Sequence, residues 1–278
     1  MGRRELEKGI HKDLAGEMTY GGYLQLDKIL DAQNPLSKPA HHDEMLFIIQ
    51  HQIAELWMKL MLHELEATIS FMQQDKLDRC FKILSRVKHV QAQMFNQWAV
   101  LETLTPSEYL QFRDALGHAS GIQSHQFRKL EFLLGNKAKD YLSVYEHDRN
   151  VYDELKRVLD SPSLYEEFLL LLHRQGFDLP KEVIDRDWSV PREGHPRVID
   201  AFKTIYSEPQ KYWDAYDMAE KLVDLEENFQ LWRFRHIKTV ERIIGYRRGT
   251  GGSSGVDFLR KGLDQRLFPE LLDVRTEL

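Results

Sequence analysis

Phe229-Gln230-Leu231-Trp232-Arg233-Phe234-Arg235-His236-Ile237-Lys238-Thr239-Val240 is the stretch on which the fold turns. With its flanks it sets Leu222, Leu225, Phe229, Trp232, His236, Val240 and Ile243 at steps of three and four, the period of one face of an α-helix. The stripe predicts a long amphipathic helix with its apolar face in a core, and it points the His236 imidazole inward. Beyond the helix the chain enters Gly249-Thr250-Gly251-Gly252-Ser253-Ser254-Gly255. A candidate metal ligand is thereby joined to a candidate anion cradle.

The same period recurs along the chain, and no segment keeps the strict alternation of a half-buried strand, so the expected class is all-α. A helix from about Asp43 to Met72 carries Leu46, Ile49, Ile53, Leu56 and Leu60 on one stripe, widened by Phe47, Ala54, Trp57, Met58 and Met61. So broad an apolar surface predicts burial on most sides. A second long helix is expected from about Leu77 to Leu101. Thr105-Pro106-Ser107-Glu108 supplies an N-cap, a first-turn proline and a capping-box glutamate, and Ser163 to Glu166 repeats the box. Gly135, Gly176 and Gly245 fall where helix C-termini favour a left-handed residue. Arg186 to Arg197, with Pro191, Gly194 and Pro196, is the best loop between halves, yet too short and charged for a flexible linker, so residues 1–278 are read as one domain.

The chain has 278 residues, of which 42% are hydrophobic and 29% charged, a globular composition. A net charge of −6 argues against nucleic-acid binding over the whole surface. The single cysteine, Cys80, excludes an internal disulfide, a cysteine-based zinc knuckle and a c-type haem attachment, and fits a reducing cytoplasm. Met1-Gly2-Arg3-Arg4-Glu5 lacks an apolar signal core, and Leu6 is not the Ser or Thr of a myristoylation site. The longest apolar run, Phe168 to Leu172, is far below the ~18 residues of a membrane span.

An isolated histidine on an apolar helix face is more often a core residue satisfied by one hydrogen bond than a metal ligand. What favours a ligand at His236 is its basic surround of Arg233, Arg235, Lys238, Arg242, Arg247 and Arg248, since haem propionates need cationic or polar partners. The plainer account of those cations is complementing the helix C-terminal dipole, worth about 0.3–1 kcal/mol each when exposed. Gly249 to Gly255 is no dinucleotide loop, because a helix precedes it and the sixth position is serine, and no Lys-Ser or Lys-Thr makes it a P-loop. Its backbone N–H groups can still converge on a carboxylate beside the Thr250 hydroxyl. His41-His42-Asp43-Glu44, His51 and His63 match neither a zinc-protease nor a di-iron spacing, and His51 with Glu55 reads as a helix-face pair. Tyr109 and Arg113 share a helix face that Leu116 continues, where the arginine is either a surface residue or a carboxylate clamp.

Four further stretches, in order along nearly the whole chain, are highly specific. They are Thr19-Tyr20-Gly21-Gly22-Tyr23-Leu24, His41 through Gln52, Leu101-Glu102-Thr103-Leu104-Thr105-Pro106, and Trp232 through His236 with the glycine-rich loop. By them the chain resembles the tryptophan 2,3-dioxygenase family. The resemblance implies an intertwined all-helical homotetramer with one b-type haem per subunit in a pocket between helices. It implies His236 as proximal iron ligand with Trp98 beside it, Ser120 and Gly249 at the haem, and L-tryptophan and O2 as substrates. It further implies His51 and Phe47 on the distal side, His51 hydrogen-bonding the indole N–H as catalytic residue. Arg113 would pair with the substrate carboxylate, Thr250 would hold the head group, and Tyr109 and Leu116 would line the pocket. Tyr20, Tyr23 and Leu24 would come from a neighbouring subunit. Ile122 stands where the family usually has an aromatic residue after Ser-Gly. A haem sensor would fit the same iron ligand but needs no amino-acid clamp, and a nucleic-acid module on Arg233 to Arg248 is opposed by the acidic balance.

Overall fold

The apolar run expected between Asp43 and Met72 folds as one 32-residue helix, α3 (His42–Gln73), after two single turns, α1 (Tyr20–Leu24) and α2 (Leu26–Ile29). The computed structural model describes residues 5–278, so the reading of the Met1 to Arg4 end lies outside it. Next come α4 (Leu77–Asn96), α5 (Trp98–Leu101), α6 (Pro106–Phe112), α7 (His125–Leu133), α8 (Arg149–Leu159) and α9 (Leu164–Arg174). The chain closes with α10 (Lys181–Ile184), α11 (Pro196–Ser207), α12 (Trp213–Ile244), α13 (Val256–Arg260) and α14 (Pro269–Glu277). Among the described residues there is no strand, and the helices form a single all-α domain.

The frame is α4 packed against both α3 and α12. Leu62, Leu65 and Met72 of α3, Leu84, Val87 and Val90 of α4, and Met218, Leu222 and Phe229 of α12 are all buried in one continuous core. The short helices α5 and α6 touch both α3 and α12, and these four elements surround the candidate site.

Local signals hold well. Thr105 and Ser163 close capping boxes with Glu108 and Glu166, and Gly135, Gly176 and Gly245 all take positive φ. Gly245, at φ 60° and ψ −140°, lies outside the left-handed helical well, in a conformation glycine reaches at little cost. The Arg186–Arg197 loop is no linker, because Arg192 pairs with the fully buried Glu270, which also accepts the His195 backbone N–H at 2.9 Å.

Thr19 caps the first turn of α1 by accepting the Gly22 N–H at 3.0 Å. Two expectations fail. The helix predicted to Leu101 breaks at Gln97 and restarts as α5. On α3, Ile49, Ile53 and Leu56 are exposed by 40%, 39% and 52%, with Met45 on the same face, so the broad stripe is buried on one side only.

Leu65 is fully buried, and Leu65→Ala is expected to destabilise the protein by about 2–5 kcal/mol in urea unfolding. A loss below about 1 kcal/mol would mean that α3 does not pack as described.

Candidate active site

Two histidines from different long helices share one cleft. His236 on α12 stacks on Trp98 of α5, with ring centroids 4.9 Å apart and planes 13° from parallel. Trp232, one turn earlier on α12, flanks it at 5.4 Å. Neither His236 ring nitrogen makes a hydrogen bond among the described residues, and the buried indole Nε1 atoms of Trp98 and Trp232 also lack partners. Burial, with a smaller contribution from His51, lowers the His236 pKa to about 4. The ring is nevertheless only half-buried by surface area, which means that its edge reaches a cleft enclosed by protein mass. A neutral imidazole with a free lone pair, flanked by unpaired indole donors, suits a ring-shaped ligand with a metal at its centre.

His51 on α3 stands within electrostatic reach of His236. Its Nδ1 donates to the Phe47 carbonyl one turn back, at 2.7 Å, so in the neutral ring the lone pair is on Nε2. The protein mass around it lowers the His51 pKa, opposed by the Phe47 bond and by Glu55, although the ring itself is solvent-exposed. The expected helix-face pair with Glu55 does not form: His51 Nδ1 is bonded to the Phe47 carbonyl, and Gln126 of α7 donates to the Glu55 carboxylate at 2.8 Å. Phe47 packs at 4.2 Å from the His51 ring, 5.8 Å from Tyr109 and 5.6 Å from Phe112, which closes an aromatic wall between α3 and α6.

Arg113 follows α6 in a 3-10 turn, Arg113–Leu116, so the helix that carries Tyr109 ends sooner than the shared-face reading expected. Its Nη2 donates to the Arg248 carbonyl at 2.7 Å, while its buried Nε has no partner. Burial raises the Tyr109 pKa, against the pull of Arg113. Thr250 Oγ1 donates to the Ala119 carbonyl at 2.5 Å, and a Cβ on Gly251 would come within 2.7 Å of Ser120 Cβ. The glycine-rich loop is thus seated on the turn that holds Ser120. Its cradle is narrower than the sequence implied: the N–H groups of Gly249, Gly252 and Gly255 already bond within the loop, whereas those of Thr250 and Gly251 make no bond among the described residues.

Phe47 thus lies against His51 and Tyr109, Trp98 against His236 within electrostatic reach of His51, and Arg113 and Thr250 hold the glycine-rich loop and its approach to the turns after α6. Tyr20, Tyr23 and Leu24 do not join them, being exposed on an amino-terminal arm. Nor do all the basic residues serve the cleft. Arg233 is buried against Glu131, at 2.9 Å, and Arg235 forks onto Glu102. Lys238 pairs with Glu241, whereas Arg242, Arg247 and Arg248 form no ion pair among the described residues. Sequence reading missed Phe112 and the contact of Trp232 with His236, although the four-residue step between the latter two was visible.

The family model described as tryptophan 2,3-dioxygenase matches residues 4–189 and 194–278. A protein named tryptophan 2,3-dioxygenase from Serratia proteamaculans (strain 568) is 62% identical over 278 residues, covering 100% of this chain and 99% of the relative. One of the same name from Myxococcus xanthus (strain DK1622) is 59% identical over 278 residues, covering 100% and 96%. Another from Xanthomonas oryzae pv. oryzae (strain PXO99A) is 55% identical over 275 residues, covering 99% and 93%.

Gly251→Ala is expected to lift the loop from the Ser120 turn and speed amide hydrogen exchange across residues 249–255. Gly121→Ala, where an added Cβ meets open space, should leave that exchange unchanged. Equal exchange in the two variants would remove the loop from its seat.

Proposed function

The chain belongs to the tryptophan 2,3-dioxygenase family, and on that premise we propose how its residues carry the family's reaction. Both atoms of O2 enter across the indole C2–C3 bond of L-tryptophan to give N-formyl-L-kynurenine, the first step of tryptophan degradation. The family is haem-dependent, and in this reading each subunit holds one haem b, with His236 as the iron ligand. The observation that carries the assignment is the neutral, unpaired His236 imidazole against Trp98 and Trp232, within electrostatic reach of His51. Ser120, Gly249 and the unpaired cations Arg242, Arg247 and Arg248 are the groups left to meet the haem edge. Bound haem supplies the iron-based O2 chemistry that no side chain provides.

The side chains bind and orient. Arg113, whose buried Nε lacks a partner, pairs with the substrate carboxylate, and Thr250 and the free N–H groups of its loop take the amino-acid head group. His51 is the catalytic residue on the distal side: its Nδ1 is held by Phe47, and its Nε2 accepts the indole N–H. Phe47, Tyr109 and Leu116 give the indole an apolar wall that excludes water.

A homotetramer completes the site in this reading. Met18, Tyr20 and Tyr23 are 75%, 78% and 75% exposed, and Leu24 lies beside them on an arm whose α1 packs on α2. Together with Met45, Ile49, Ile53 and Leu56 on α3 they form the kind of apolar surface that a second copy covers. Tyr20, Tyr23 and Leu24 then reach a neighbour's cleft. No described helix is long and apolar enough to cross a membrane, and the reading places the enzyme in the cytoplasm, without nucleic acid.

His236→Ala is expected to lose stable haem, read as loss of the Soret band after gel filtration, and a variant that keeps full occupancy would overturn the ligand assignment. Arg113→Ala is expected to keep haem and weaken tryptophan binding about ten- to a hundredfold, from the loss of a charge-assisted bond worth about 1.5–3 kcal/mol. An unchanged affinity would take the carboxylate away from Arg113.

A further inference from the structure

Glu102 lies outside the cleft, yet it joins the two elements that clasp His236. It caps α5, its backbone N–H donating to the Trp98 carbonyl at 2.8 Å. Its carboxylate accepts Arg235 Nε at 3.1 Å and Nη2 at 3.2 Å, a two-pronged pair with the residue immediately before His236. Thr239 Oγ1 is 3.1 Å from the same carboxylate and 3.0 Å from the Arg235 carbonyl, so its one proton can serve either acceptor. The Arg235 guanidinium also lies over the Phe95 ring of α4, 4.7 Å from its centroid, so it is held from both sides. Hydrogen bonding by Arg235 keeps the Glu102 pKa low and the carboxylate ionised.

The geometry is a two-point attachment. Trp98 and Glu102 are one helical turn apart on α5 and its cap. Trp98 meets the imidazole face of His236, and Glu102 meets Arg235 and Thr239, which flank that histidine on α12. A ring stack alone leaves the two planes free to slide, because dispersion and quadrupole contacts are weakly directional compared with a forked charge-assisted pair. The fork fixes how far α5 lies along α12 and therefore which part of the imidazole Trp98 covers.

We propose that Glu102 is a positioning residue for the haem. Through its fork with Arg235 it holds Trp98 in register on His236 and so sets the orientation of the imidazole presented to the iron. The inference rests on the reading of His236 as iron ligand. It assigns a role to the Leu101-Glu102-Thr103-Leu104 stretch that binding and orientation of substrate leave unexplained.

The test measures haem transfer to an apoglobin acceptor and the iron–histidine stretching band of the ferrous protein by resonance Raman. Glu102→Ala is expected to speed haem transfer about tenfold or more, in line with the cost of removing a partner that orients a metal-ligating histidine, and to shift or broaden the band. Glu102→Gln keeps the shape and one acceptor oxygen without the charge, and is expected to fall between wild type and Glu102→Ala. It serves alone if the alanine variant does not fold. Glu64→Gln, which weakens the Arg86 pair remote from the cleft, controls for general loss of stability and should leave both readouts unchanged. Wild-type transfer and an unchanged band in every Glu102 variant that folds would overturn the proposal, as would an equal response in Glu64→Gln. If His236→Ala retains haem like wild type, it is instead the ligand assignment that fails.

Discussion

Burial of one apolar face on each of α3, α4 and α12 is the constraint from which the site follows. Because α4 packs against both longer helices, His51 on α3 and His236 on α12 are held at one cleft within range of each other's charge. Burial keeps the His236 ring neutral, since a charged imidazole surrounded by protein mass loses hydration that nothing there replaces. A neutral His236 can ligate a metal, and a neutral His51, with its Nδ1 proton held by Phe47, offers an acceptor at Nε2. The chemistry thus depends on packing before it depends on any particular contact.

Buried carboxylates then fix what packing leaves loose. Glu44 accepts the N–H groups of Leu36 and Ser37 at 2.7 and 3.0 Å and ties the amino-terminal arm to α3. Glu226 on α12 accepts those of Leu267 and Phe268 and anchors the approach to α14. Glu131 joins Arg128, Arg233 and Asn136, which binds α7 to the helix that carries His236. Removing one partner from the buried Glu131–Arg128–Arg233 cluster costs about 3–5 kcal/mol because charge is left stranded, and Glu44 and Glu226 hold their connections through backbone N–H groups that would otherwise be buried unpaired.

What was legible in the sequence was local or periodic. The bounds of α3, both capping boxes and the inward turn of His236 follow from spacing within one or two turns, and the structure agrees with each. The resemblance led to the family that the comparisons establish; Phe47 lies against His51 and Tyr109, while Arg113 and Thr250 donate to the carbonyls of Arg248 and Ala119. What failed depended on distant partners. Arg233 and Arg235 looked free for an anionic ligand, but their carboxylates, Glu131 and Glu102, lie more than a hundred residues away in the chain. The breaks at Gln97 and after Phe112 carry no proline or glycine to announce them. Ile49, Ile53 and Leu56 read as core because an apolar stripe carries no mark of whether the rest of the same chain covers it.

The central claim is that one cleft sets a haem on His236 and tryptophan between His51 and Arg113. The most direct test is a crystal structure of the haem-loaded protein soaked with L-tryptophan under anaerobic conditions. The account predicts iron bonded to a His236 ring nitrogen, the indole nitrogen within hydrogen-bonding distance of His51 Nε2, and the carboxylate against Arg113. Iron held by any other side chain, or tryptophan bound with its carboxylate away from Arg113, would contradict it.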